Sequence, residues 1–123
     1  MQLIGTDIIE IDRIEEAVTR WGERFLHRVY TDSELAQCLM RLPSLAARFA
    51  GKEATLKALG THTRGIGWRD IEILADSEDK PVVHLHGQAQ IQADYLGLDN
   101  LAISLSHSRE YAIAVAIGET RQG

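Results

Sequence analysis

Arg48-Phe49-Ala50-Gly51-Lys52-Glu53-Ala54-Thr55-Leu56-Lys57 is the stretch on which the reading of this chain turns. Read as a helix at about 100° per residue, it puts Phe49, Glu53, Leu56 and Gly60 on one face, so Glu53 interrupts an apolar stripe. An unpaired carboxylate placed where a core residue belongs is costly and needs a cation. Lys57 stands one turn further on, in the favourable Glu-to-Lys order, so a helical ion pair is one reading of these two residues.

A second acid breaks the same kind of pattern. Met1 to Ile11 reads MQLIGTDIIEI, an apolar, isoleucine-rich run expected to form a buried strand. Its period of two turns Leu3, Gly5, Asp7, Ile9 and Ile11 to one side, with Asp7 among them. Two acids on apolar faces suggest a shared hard cation. Mg2+ is typically held by one or two carboxylates, with water and substrate phosphates completing its octahedron.

Outward from these acids, the spacing predicts a helical middle. Asp12 is the expected N-cap of a helix to about Trp21, with Ile14, Ala17, Val18 and Trp21 inside. Thr31-Asp32-Ser33-Glu34 forms a capping-box pattern that opens a helix to about Arg41. Pro43 and Ser44 restart the chain as the helix of Glu53, and Gly60 is suited to end it in the left-handed conformation. The loop Gly60-Thr61-His62-Thr63-Arg64-Gly65-Ile66-Gly67 follows. Its glycines let backbone N–H groups approach a phosphate, although it matches neither the P-loop nor the dinucleotide fingerprint.

The second half is read as strands around one helix. A strand over Ile71 and Ile73, a polar turn from Asp76 to Lys80 and a strand from Pro81 to His86 precede a helix from Gly87 to Leu96. Leu101 to Ser106 and Tyr111 to Ile117 form a hairpin joined by His107-Ser108-Arg109-Glu110. Ser104 and Ser106 share a side near His107, yet no acid or nucleophile elbow accompanies them, which discounts a hydrolase triad. His84 and His86 share a strand face that suits solvent better than a metal.

Composition narrows the class. The chain has 123 residues, 45% of them hydrophobic, and a formal net charge of −5. This suits one α+β domain over residues 1–123 and argues against nonspecific nucleic-acid binding, which needs many cations. No apolar run approaches a membrane span and no signal-peptide pattern is present, so a cytoplasmic protein without a membrane partner is expected. Cys38 stands alone and is read as packing. Arg13, Arg20, Arg24 and Arg28 recur at intervals of 7, 4 and 4, which on a continuous helix would form one basic stripe facing either solvent or an acidic protein, with Gly22 a possible break.

Taken together, three motifs resemble the holo-[acyl-carrier-protein] synthases, the small class of 4'-phosphopantetheinyl transferases. They are Ile4-Gly5-Thr6-Asp7-Ile8, Arg48 to Ala54 with Lys57, and Ser104-Leu105-Ser106-His107; Trp68-Arg69-Asp70-Ile71-Glu72-Ile73 fits the family's strand after its loop. The resemblance spans nearly the whole chain. It implies transfer of the phosphopantetheine arm of coenzyme A to a serine of apo acyl carrier protein, releasing adenosine 3',5'-bisphosphate, in support of fatty acid biosynthesis.

Carried over by motif position, the resemblance makes Asp7 and Glu53 the Mg2+ ligands, with Mn2+ an alternative. It makes Asp7, Glu53, Lys57 and His107 the catalytic group, with Glu53 also a candidate acceptor of the serine proton. Arg48, Lys52, Lys57, Gly60, Thr61, Gly65 and His107 are the expected coenzyme A contacts. Arg13, Arg20 and Arg24 are the expected docking face for the acidic carrier. The family's α+β fold assembles as a homotrimer with nucleotide sites between subunits. The residues alone leave two rivals open: a Mg2+-dependent phosphoanhydride hydrolase and a noncatalytic coenzyme A- or nucleotide-binding protein.

Overall fold

Strand β1 (Gln2–Glu10) alternates as its sequence requires, with Leu3, Gly5, Asp7 and Ile9 turned inward and Gln2, Ile4, Thr6 and Ile8 exposed. These are features of a computed structural model that describes residues 1–60 and 65–121. Ile11 leaves the strand and begins helix α1 (Ile11–Trp21), where it is buried with Ile14. Glu10, not Asp12, occupies the N-cap position. Asp12 falls in the first turn, where its charge meets the positive end of the helix dipole.

Gly22, at φ 57°, separates α1 from α2 (Glu23–Val29), so the four arginines do not share one continuous helix. Helix α3 (Asp32–Cys38) opens on the expected capping box: Thr31 Oγ1 accepts from the Glu34 N–H at 3.1 Å, and Glu34 Oε1 accepts from the Thr31 N–H at 2.9 Å. It stops before Arg41 because Leu39 and Met40 turn the chain at φ 51° and 59°. Cys38 is buried, and burial pushes its thiol pKa up, consistent with a packing residue.

Helix α4 (Leu42–Leu59) is the central element, with Pro43 in its first turn. Gly60 ends it at φ 99° and ψ −165°, a conformation open to glycine but different from the left-handed cap expected. A 3-10 turn (Trp68–Asp70) leads into β2 (Ile71–Ala75), β3 (Pro81–Leu85), α5 (Gly87–Leu96), β4 (Leu98–His107) and β5 (Tyr111–Thr120). Strands β2 and β3 form one antiparallel pair, and β1, β5 and β4 form a second antiparallel sheet in that order. The last two strands are the expected hairpin, extended at their far ends.

Alanine sets how closely α4 lies on this sheet. Ala50, Ala54 and Ala58 recur every four residues and meet Ala114 and Ala116 of β5. Gly5 of β1 has no side chain between its backbone and the helix: a Cβ there would collide with the Ala54 carbonyl oxygen and stand 2.7 Å from Ala58 N. This contact sets Asp7 one strand repeat further along, over the C-terminal half of α4.

Candidate active site

Asp7 projects from the inner face of β1 and accepts a hydrogen bond at Oδ1 from Lys57 Nζ at 3.0 Å. The same ammonium donates to the Thr6 carbonyl at 3.0 Å. Lys57 thus reaches across to the strand, and the Glu53–Lys57 helical pair allowed by the spacing is absent among the ion pairs of the described residues. The close crossing at Gly5 explains this, because it offers Lys57 a carboxylate and a carbonyl together.

Glu53 stands half-buried beside them. Burial raises its carboxyl pKa above the ordinary range, the charge of Asp7 raises it further, and the charge of Lys57 acts in the opposite direction. The two acids predicted from separate motifs are therefore neighbours, and their repulsion marks a place for positive charge. Among the described residues, no group of three His, Cys, Asp or Glu side chains forms a complete metal cage. Two adjacent hard oxygen donors fit an octahedral ion such as Mg2+ that takes its remaining ligands from water and a phosphate.

The other expected contacts divide. Lys52 requires correction: it is 0% exposed, its ammonium lies 2.8 Å from Glu34 Oε1, and it also donates to the carbonyls of Trp68 and Ile71. It is withdrawn from any phosphate. The core position that the helical stripe assigned to Glu53 is held instead by its neighbour Lys52, because α4 is packed over a wide arc and Glu53 lies at the margin of that arc.

Arg48 donates from Nε to the Ile73 carbonyl and from a terminal nitrogen to Gln37 Oε1, both at 3.0 Å. It lines a polar cleft of about 490 Å3 with Gln37, Arg41, Ser44, Asp76 and Asp79. His107 is exposed at the end of β4, with β5 between it and β1, so the chain does not bring it to Asp7. Ser104 and Ser106 share the outer sheet face. His84 and His86 are exposed, and His86 Nε2 lies 3.0 Å from Glu72 Oε1 in a surface pair. Gly60 and Gly65 are exposed on either side of 61–64, and the expected contact Thr61 lies outside the described residues.

Arg13, Arg20 and Arg24 are exposed. Arg13 makes a loose pair with Glu10 at 3.7 Å, and Arg20 lies 5.0 Å from the centre of the Trp21 ring. Arg24 lines a cleft of about 390 Å3 with Trp21, Phe25, Arg28, Val29, Phe49 and Trp68, whereas Arg13 lines a separate one with Ile8, Ile9, Glu10 and Tyr111. The Phe49 and Trp68 rings stack with centroids 5.0 Å apart. Sequence reasoning missed this apolar floor, since Phe25, Phe49 and Trp68 come from three separated segments. It also missed Glu34 as a buried partner; the capping box gave its place on α3 but not its second bond.

Paired acids on a strand–helix crossing, a lysine bonded to one of them and a cleft of mixed basic and aromatic lining are the site features of this small α+β protein. The 4'-phosphopantetheinyl transferase superfamily matches residues 3–116. Holo-[acyl-carrier-protein] synthase of Herpetosiphon aurantiacus is 49% identical, covering 96% of this chain and 98% of its own. That of Dehalococcoides mccartyi strain CBDB1 is 51% identical, covering 97% and 99%. The crystal structure of the Helicobacter pylori holo-[acyl-carrier-protein] synthase in complex with coenzyme A superposes with a TM-score of 0.85 at 35% identity, covering 95% of this chain and 100% of that one. The chain belongs to the holo-[acyl-carrier-protein] synthase family.

Proposed function

We propose that this protein transfers the 4'-phosphopantetheine arm of coenzyme A to a serine of apo acyl carrier protein, and that Asp7 and Glu53 hold the divalent ion the reaction uses. Family membership supports the reaction, and the adjacency of the two carboxylates supports the metal role. The serine Oγ forms a bond to the pantetheine-side phosphorus, and the phosphoanhydride bond to adenosine 3',5'-bisphosphate breaks. Bound Mg2+ supplies charge neutralisation for the pyrophosphate. Glu53 is read as the acceptor of the serine proton; in the metal-free protein burial and then the charge of Asp7 raise its carboxyl pKa above the ordinary range. Lys57 holds Asp7 in orientation and offers its remaining proton to a phosphate.

Intact-mass analysis of apo carrier incubated with coenzyme A and Mg2+ tests the reaction. A phosphopantetheine adduct supports transfer; coenzyme A cleavage without an adduct supports the hydrolase instead, and binding without turnover a recognition module. Removal of the ion with a chelator is expected to stop transfer, and readdition of Mg2+ or Mn2+ to restore it.

The reading extends to a homotrimer. Ile4 of β1 sits opposite Ile117 of β5, and Ile8 opposite Ile113, on an outer sheet face where Ile4 is 61% and Ile8 59% exposed. A contiguous apolar sheet face of this kind calls for a partner. On this reading a second copy would supply what one chain lacks, since the resemblance implies nucleotide sites between subunits and His107 does not reach Asp7 within one chain. Ile8→Glu is expected to convert a trimer to monomers in sedimentation equilibrium and to abolish transfer. A persistent trimer in this variant, or a monomeric parent protein, would remove this face from the assembly.

Docking of the carrier is assigned to the exposed Arg13, Arg20 and Arg24 with the neighbouring apolar cleft. Acidic partners are steered by such cations, and an apolar side chain fits the aromatic floor. Arg13→Ala is expected to raise the carrier KM about threefold to tenfold with the coenzyme A KM unchanged, and to flatten the salt dependence of kcat/KM. Unchanged carrier kinetics across ionic strength would sink this docking face.

A further inference from the structure

Lys52 and Glu34 form a buried ion pair that the transfer chemistry does not use. Both are 0% exposed, and every polar contact of the pair is internal. Lys52 Nζ donates to Glu34 Oε1 at 2.8 Å, to the Trp68 carbonyl at 3.0 Å and to the Ile71 carbonyl, and it lies 5.8 Å from the centre of the Tyr30 ring. Glu34 Oε1 accepts from the Thr31 N–H at 2.9 Å, and Glu34 Oε2 accepts from the Ile73 N–H at 2.8 Å. One ammonium and one carboxylate thereby join α3, α4, the 3-10 turn and β2.

Such a pair is a weak source of net stability, because the desolvation of both ions offsets their attraction and apolar replacements of similar volume are often neutral. Its geometry has a more specific consequence. The two carbonyls bonded to Lys52 bracket the turn Trp68–Asp70, none of whose side chains is fully buried and of which Trp68 alone is a hydrophobic side chain packed against the core. Trp68 is therefore held by its carbonyl from α4, while its indole stacks on Phe49 of the same helix and walls the aromatic cleft. Phe49 and Glu53 are one turn apart on α4.

We propose that Lys52 and Glu34 are positioning residues for carrier recognition: their ion pair fixes Trp68 in the wall of the cleft, in register with the helix of Glu53. This rests on the carrier-docking reading of that cleft. An acidic carrier presenting an apolar side chain meets a wall preset by the core, so less ordering is required on binding.

The test is the double substitution Glu34→Gln with Lys52→Met, which avoids leaving one buried charge without its partner. The folded double variant is expected to show a carrier KM raised about tenfold with the coenzyme A KM within about twofold of the parent. In 1H–15N spectra, with the two indole N–H signals assigned by Trp21→Phe, the Trp68 signal is expected to shift or broaden while the Trp21 signal stays in place. A folded double variant with unmoved Trp68 signal and unchanged carrier KM overturns the positioning role. Should the double variant fail to fold, Trp68→Phe decides: it must show the same selective rise in carrier KM, and normal carrier kinetics overturn the proposal. Absence of transfer by the parent protein would defeat the transferase reading separately, since the indole signal is read without carrier.

Discussion

Glu53→Gln is expected to lower phosphopantetheine transfer by on the order of 10³-fold while leaving the protein folded. A divalent ion supplies several kcal/mol of charge stabilisation, and each ~1.4 kcal/mol lost is tenfold in rate. The amide keeps the volume of the carboxylate and removes a charge that stands against Asp7, so the metal-free variant should melt no lower than the parent. This separates loss of chemistry from loss of structure. Asp7→Asn should have a comparable effect on transfer, with a small cost in stability because the Lys57 clamp is weakened.

The pH dependence has a definite sign. Glu53 is raised above its unfolded value, first by burial and then by Asp7, so folding of the metal-free protein is favoured while Glu53 is protonated. That contribution is full below the ordinary glutamate range and is lost as pH rises through the raised folded value. On the proposed metal role Mg2+ takes the ionised pair, so its increase in melting temperature should grow over the same interval and be abolished in Glu53→Gln. The acid limb of the transfer rate should move to lower pH in Asp7→Asn if that variant retains measurable turnover. Near-normal transfer by both purified variants, or an undiminished Mg2+ effect on their melting, would defeat the assignment of the two acids as metal ligands.

Gly5→Ala is expected to be as damaging through a different route. A methyl group at Gly5 meets backbone, the Ala54 carbonyl oxygen and Ala58 N, and neither can yield by changing rotamer. Relief requires β1 to rise from α4, opening the alanine-lined contact of Ala50, Ala54 and Ala58 with the sheet. Overpacking of this kind costs about 3 kcal/mol or more. Against a total of about 5–15 kcal/mol for a typical domain, that is a large share, corresponding to a fall of roughly 10 °C in melting temperature. The displaced strand also takes Asp7 from Lys57 and Glu53, so transfer should fall sharply even at temperatures where the variant is folded. The same loss of the Mg2+ effect on melting is expected. A Gly5→Ala protein with parental melting and turnover would show that the crossing tolerates a side chain and does not set the site.

Several expected elements appear within a residue or two because they depend on neighbours in sequence. The alternation of Leu3, Gly5, Asp7 and Ile9 needs only the strand pleat. The capping box of Thr31 and Glu34 closes within one turn. The Asp76 to Lys80 turn is held by the Asp76 side chain and backbone, with hydrogen bonds from the Glu78 and Lys80 N–H groups at 2.8 and 2.9 Å. Even Asp7 and Glu53 were visible separately, each as an acid out of place on an apolar face.

The pairings were not. Lys52 and Glu34 are 18 residues apart, Lys57 and Asp7 are 50 apart, and local periodicity gives no preference among cations and acids so far separated. The resemblance puts Lys52 among the coenzyme A contacts and the helical stripe puts Glu53 on a core-facing side, whereas packing of α4 against α3 and β2 buries the first and leaves the second at the rim. Local pattern was enough for the strands, the helices and the Thr31 capping box, and for which residue types stood at odds with them. Which charges neutralise one another came from packing, because a charge settles against the nearest partner in space: the close approach of β1 and α4 at Gly5 sets that distance for Lys57 and Asp7, and the seating of α3 and β2 on α4 sets it for Lys52 and Glu34.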